Sequence, residues 1–186
     1  MTIQVSNINT AGAVVTIGGT ILNNPDADGF YWGTVSGTEI GCTEGGITVK
    51  YAIDKKDIYC DQVLIPVAAA LTGETATVHM KLLETEADNL IFAIQQGTLK
   101  DNAGVESKID VGGLQTFTYT PLKLEITDND TGKLTTWTFF KVLAQGIDIN
   151  FERDNPTAAD VTFTAYADMT HAAGHRLFSI HQDLTT

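Results

Sequence analysis

His171, His175 and His181 lie close together in the chain, and the first two stand at the i, i+4 spacing that would put both imidazoles on one face of a helix, where a metal ion could be held. The residues between them argue against that helix. Ala172-Ala173-Gly174 is a poor helical stretch, no HExxH pattern is present, and the nearby Asp168 and Asp183 complete no known ligand set. The acidic run Asp128-Asn129-Asp130-Thr131-Gly132 resembles the start of a calcium loop, but such a loop needs glycine at its sixth position. Lys133 stands there and Gly132 falls one place early, so a hairpin turn is the better reading. Asn129-Asp130-Thr131 matches a glycosylation acceptor, which acts only in a secreted chain. The glycine pairs Gly18-Gly19, Gly45-Gly46 and Gly112-Gly113 adjoin strand-like runs instead of opening helices, so none forms a phosphate-cradling loop. No nucleophile elbow is found, and the carboxylates are scattered over the polar faces of strands. The sequence thus assigns no catalytic, cofactor-binding or metal-ligating residue and no cofactor, and the chain is expected not to be an enzyme.

Aromatic residues are the other unusual feature. Phe30-Tyr31-Trp32 places three large side chains in a row, which a strand with one buried face cannot cover. Such a cluster either anchors a neighbouring molecule or belongs to a strand buried on both sides. Trp137, Phe139 and Phe140 invite the same two readings.

Composition bounds what elements could position these residues. At 186 residues one domain is expected, and 43% hydrophobic residues with only 18% charged ones indicate a folded chain with a real core. The 23 acidic against 11 basic residues leave a net charge of −12, which repels phosphate backbones and excludes tight nucleic-acid binding. The same sign suits a surface past which nucleic acid slides. Lys and Arg are absent before Lys50, so a secretory signal is not expected. The longest apolar run, Val63 to Leu71, is interrupted by Pro66 and is far shorter than the roughly 18 residues of a membrane span. A soluble protein without membrane partners is expected. Cys42 and Cys60 make no disulfide framework; free thiols are the preferred reading, with a single bridge between them left open.

The periodicity is that of strands. Residues 1–37 read as an N-terminal arm leading into a strand. Ile47, Val49 and Tyr51 alternate with polar residues, and a second strand over 56–60 is expected after a turn at Ala52-Ile53-Asp54. Glu74 to Leu83 is the clearest strand, with Ala76, Val78, Met80 and Leu82 on one face. One helix follows, over about residues 86–95, with Thr85 as N-cap, Asp88 completing a capping box and Ala87, Leu90, Ile91 and Ile94 forming the apolar stripe. Residues 97–113 show no period and read as a long loop, a candidate for assembly contacts. Leu122, Leu124 and Ile126 open a hairpin that returns through Leu134–Leu143, and two further runs hold Ile147, Ile149, Phe151 and Val161, Phe163, Ala165. The expected fold is mainly β, an antiparallel sandwich or barrel with one flanking helix.

Glu44-Gly45-Gly46-Ile47-Thr48-Val49-Lys50-Tyr51, then Asp57-Ile58-Tyr59-Cys60-Asp61-Gln62, then Leu71-Thr72-Gly73-Glu74-Thr75-Ala76-Thr77-Val78, and Leu82-Leu83-Glu84-Thr85 leading to Asn89-Leu90, together resemble the major tail tube proteins of long-tailed bacteriophages. Asp168-Met169-Thr170 to Leu177-Phe178-Ser179-Ile180 resembles their last strand and terminal segment, so the likeness covers residues 44–96 and, more loosely, 147–181. The resemblance implies a β-sandwich with a flanking helix, related in fold to type VI secretion tube subunits. It further implies hexameric rings stacked into a tube, with tape measure and tail terminator or tip proteins as partners and DNA passing through the lumen without specific binding. Assembly would take place in the host cytoplasm, and the final location would be the virion tail. Two other classes fit the same residues: a capsid decoration or head-tail connector protein, and a carbohydrate-binding or adhesin module using Tyr31, Trp32 and Trp137. An unrecognised enzyme would need one of the three histidines beside a carboxylate in a cleft.

Overall fold

The computed structural model describes residues 13–25, 31–39, 43–83, 85–95, 97–101, 106–113, 116–127, 132–151 and 157–182. The chain runs β1 (Ala13–Pro25), β2 (Tyr31–Glu39), β3 (Thr43–Cys60), β4 (Val63–Leu82), α1 (Ala87–Ala93), β5 (Thr98–Asp101), β6 (Ser107–Asp110), β7 (Thr120–Thr127), β8 (Leu134–Asn150), β9 (Ala158–Ala165) and β10 (Phe178–Gln182). The expected mainly-β, sandwich-like architecture with one helix is what forms. An eight-stranded antiparallel sheet has the order β2-β1-β7-β8-β9-β4-β3, with β10 attached to β8, and β5 and β6 form a separate pair.

Strand β8 joins the two halves of this sheet. Its first part pairs with β7, from Thr127↔Leu134 to Thr120↔Val142. Along its other edge, β10 pairs with residues 135–139 and β9 with residues 142–150, so β9 and β10 lie end to end on one strand. Register shifts between Thr120 and Leu122 and between Ala144 and Ile147 mark bulges, and bulges bend a strand and raise its twist. Beyond Val142 the β7 edge of β8 is covered by the helix: the Ala144 amide donates to Gln95 Oε1 at 2.8 Å, and Gln95 Nε2 donates to Thr120 Oγ1 at 2.9 Å. The Gln95 side chain thereby satisfies a β8 amide that lies beyond the end of the β7 ladder.

Alternating residues of the strands meet in one core. Val15 and Ile17 of β1, Ala76, Val78 and Met80 of β4, Leu122 of β7, Phe139 and Val142 of β8, and Val161 and Phe163 of β9 are all fully buried. Burying each Val, Leu, Ile or Phe side chain contributes about 1.5–3 kcal/mol, so this cluster carries the stability of the fold.

Four expectations are corrected. Residues 13–25 and 31–39, placed in an arm, are strands of the main sheet, and Thr16, a polar residue in a short apolar piece, is buried there. Residues 1–12 lie outside the described set. No turn breaks the chain at Ala52-Ile53-Asp54, which holds no glycine or proline; these residues pair with Thr75, Glu74 and Gly73, and the turn comes at Asp61-Gln62. The stretch 97–113 contains the β5–β6 hairpin, too short to show a period, pinned by Lys100 and Lys108 on Asp110 at 2.6 Å each. The helix begins one residue late: Glu86 is the N-cap, without a side-chain cap, because its carbonyl accepts from Asn89 and Leu90. Its buried face is set by Asn89 and Ala93 more than by the expected stripe, whose Leu90, Ile91 and Ile94 are half-buried. The hairpin from β7 to β8 forms as expected, although residues 128–131 of its turn lie outside the described set.

Candidate functional site

The histidines are not brought to one centre. His171 is buried and stacks on Phe140, with ring centroids 4.2 Å apart, while His175 is exposed and His181 is an exposed residue of β10. The Asp168 carboxylate lies 3.9 Å from His171 Nε2. Burial pushes the Asp168 carboxyl up, but hydrogen bonds from the Thr170 amide and hydroxyl, with the charges of His171 and Lys141, leave it below its ordinary value. These groups fold the connection between β9 and β10 into a closed excursion. Tyr166 donates to the Lys141 carbonyl on departure, Phe140 donates to the Leu177 carbonyl on return, and Asp168 donates to the Arg176 carbonyl across the neck. Chain ends that meet in this way are typical of compact Ω-loops. His171 is the weight that packs this one onto β8. No group of three or more His, Cys, Asp or Glu side chains converges among the described residues.

The aromatic run of β8 resolves into the two-sided burial reading. Phe139 is in the core and Phe140 lies under His171. Trp137 stacks on Phe178 at 5.8 Å, and Phe178 also touches Phe139 and Tyr51. Trp137 is therefore committed to an internal cluster and is no exposed sugar platform. Phe30 and Cys42 lie outside the described residues, and Tyr31 and Trp32 are described only as backbone of β2.

The feature that stands out is the β3–β4 hairpin. Its root is part of the sheet, because β4 pairs with β9 from Ala76↔Ala165 to Leu82↔Ala159. From Ile53 to the turn at Asp61-Gln62 and back to Gly73, β3 and β4 pair with no other strand among the described residues, and residues 64–67 bulge out between the pairs Ile58↔Ala68 and Cys60↔Val63. This ribbon carries Ile53, Ile58, Tyr59, Val63, Ile65, Val67 and Leu71, each at least 40% exposed. Strand side chains alternate between faces, so Ile53 and Ile58 point to opposite sides and both sides of the ribbon carry apolar groups beside the charged run Asp54–Asp57. An isolated two-stranded hairpin is marginally stable in water, and contiguous exposed apolar surface marks an interaction site. Pro66 was the available signal: proline lacks an amide donor and is confined to edges and bulges within sheets.

At the root, where β9 stops, an open depression of about 940 Å³ lies between β4 and the β9–β10 excursion. Its lining includes the apolar side chains of Tyr51, Leu71, Leu177 and Phe178 and the charged ones of Glu74 and Arg176. Arg176 is half-buried, donates Nε to the His171 carbonyl at 3.2 Å and has no carboxylate partner among the described residues. The Tyr51 phenol is pushed above its ordinary value, first by partial desolvation and then by the neighbouring Glu74 carboxylate. Cys60 is a free, exposed thiol beside the hairpin turn, donating to Gln62 Oε1 at 2.7 Å. No family model matches the chain, and a search of curated proteins finds none that matches it.

Proposed function

We propose that the chain is a self-assembling structural subunit of a bacteriophage tail tube, forming hexameric rings that stack around a channel, and that it performs no catalysis. The observation that carries self-assembly is the β3–β4 ribbon, which leaves the sandwich with apolar side chains on both faces and pairs with no third strand among the described residues. Such edges and faces are a liability in a monomer and are covered when copies associate. The tail-tube identity rests on the resemblance of residues 44–96 to that family. The net charge of −12 suits a lumen that DNA traverses without adhering, with tape measure and terminator or tip proteins as the other partners.

The test is negative-stain electron microscopy with light scattering, on the natural chain and on a variant in which residues 55–72 are replaced by Asn-Gly, a pair suited to a tight hairpin turn. The natural chain is expected to form rings or tubes with a central channel, and the variant to remain a folded monomer. Tubes from the shortened variant would remove the ribbon from the mechanism. A fixed trimer of the natural chain would favour a capsid decoration protein instead.

A further inference from the structure

Resting on the self-assembly reading, we infer that the depression between β4 and the β9–β10 excursion is the socket for the hairpin tip, residues 58–65, of a second copy of this chain. The tip cannot fill its own socket. Leu71 lines the depression and pairs with Lys55, and the turn at Asp61-Gln62 begins six residues further along β3, about 20 Å away at ~3.3 Å per residue. Any tip found there belongs to another molecule.

The two surfaces match in chemistry. The socket has an apolar, partly aromatic part of its lining continuous with the Phe178 cluster, and the tip offers Tyr59, 63% exposed, and Ile65, 66% exposed. Tyrosine suits such a role because it brings a large rigid apolar body with a polar end. Arg176 lines the depression and has no carboxylate partner among the described residues, and Asp61 stands at the turn. Glu74 also lines the depression, and its carboxylate disfavours Asp61 beside it, so the tip is expected to enter with Asp61 toward Arg176. A contact between tip and socket is heterologous: each molecule that receives a tip still presents its own. Repetition of such a contact closes a ring or grows a filament.

The test uses the natural thiol of Cys60 at the tip. In a background with Cys42→Ser, Ala173→Cys places a second thiol at the exposed rim of the socket, and a short bis-maleimide is applied to the assembled protein. A ladder of multimers is expected, with mass spectrometry joining the position 60 and position 173 peptides, and the ladder is absent without Ala173→Cys. Tyr59→Ala and Arg176→Glu should each lower the association constant about tenfold or more, and Asp61→Arg should restore the Arg176→Glu variant. Polymers that form without a 60–173 link, or a tip-to-tip ladder that needs only Cys60, would overturn the socket and leave self-assembly standing. A chain that stays monomeric at every concentration would overturn both.

Discussion

Asp110 is held by Lys100 above all and by Lys108, and their hydrogen bonds bring its carboxyl from 3.8 down to about 2. A carboxyl with a depressed folded value contributes stability that is present above its ordinary value and is lost as pH falls through the folded one. The window here runs from about pH 4 to about pH 2. A carboxyl titration by NMR should therefore give Asp110 a midpoint near 2, with amide protection of β5 and β6 fading over that window. A midpoint at the ordinary value would show that the two lysines do not hold it. Gly97 matters for a different reason, the closeness of its neighbours. A Cβ there would lie 2.7 Å from Ile109 Cγ2 and 3.0 Å from the Ile94 carbonyl oxygen, so Gly97→Ala must push β6 away from the helix. Overpacking of this kind costs about 1–3 kcal/mol, which a urea unfolding midpoint reads directly. Neither effect was legible in the sequence, where Gly97 and Asp110 stood in a stretch without period. Each depends on what the fold places opposite.

At the scale of elements, alternation predicted β4, β7 and β9 well, because each has one face in a single core and an inward residue at every second position. It failed along the β3–β4 ribbon, where no core exists to impose a face. Ile58 and Tyr59 are adjacent, and the run Val63–Leu71 is apolar on both sides, so the pattern suggested only a membrane span that was too short. The ribbon is also where stability should be lowest. Its amides between residues 54 and 72 rest on at most one ladder, which skips residues 64–67, so in a monomer they are expected to exchange far faster than those of β4 between residues 76 and 82. In assembled protein the difference should vanish, and hydrogen-exchange mass spectrometry compares the two states. Persistent fast exchange in polymers would mean that copies meet elsewhere. The candidate site was half legible for the same reason: its apolar residues and Cys60 could be named, but the depression exists only because β9 ends at Ala165 while β4 continues.

For the whole molecule, a mainly-β fold with one short helix followed from composition and period, whereas the order of the strands did not. Neighbours in the sheet such as β1 and β7, or β4 and β9, are far apart in the chain, and no local pattern encodes that adjacency. The order β2-β1-β7-β8-β9-β4-β3 has a consequence in time. The first two hairpins to be synthesised occupy the outer flanks, and the strands that join them, β7, β8 and β9, are made later. Translation at about 5–20 residues per second brings β9 off the ribosome on the order of ten seconds after β4. Until then the β3–β4 hairpin has no sheet beneath it, and the depression lacks the excursion that holds Arg176. On the proposed tip-and-socket assembly, a prematurely terminated chain that ends before β9 would carry the ribbon but not complete a receptor for one, and is expected to cap a growing polymer without extending it.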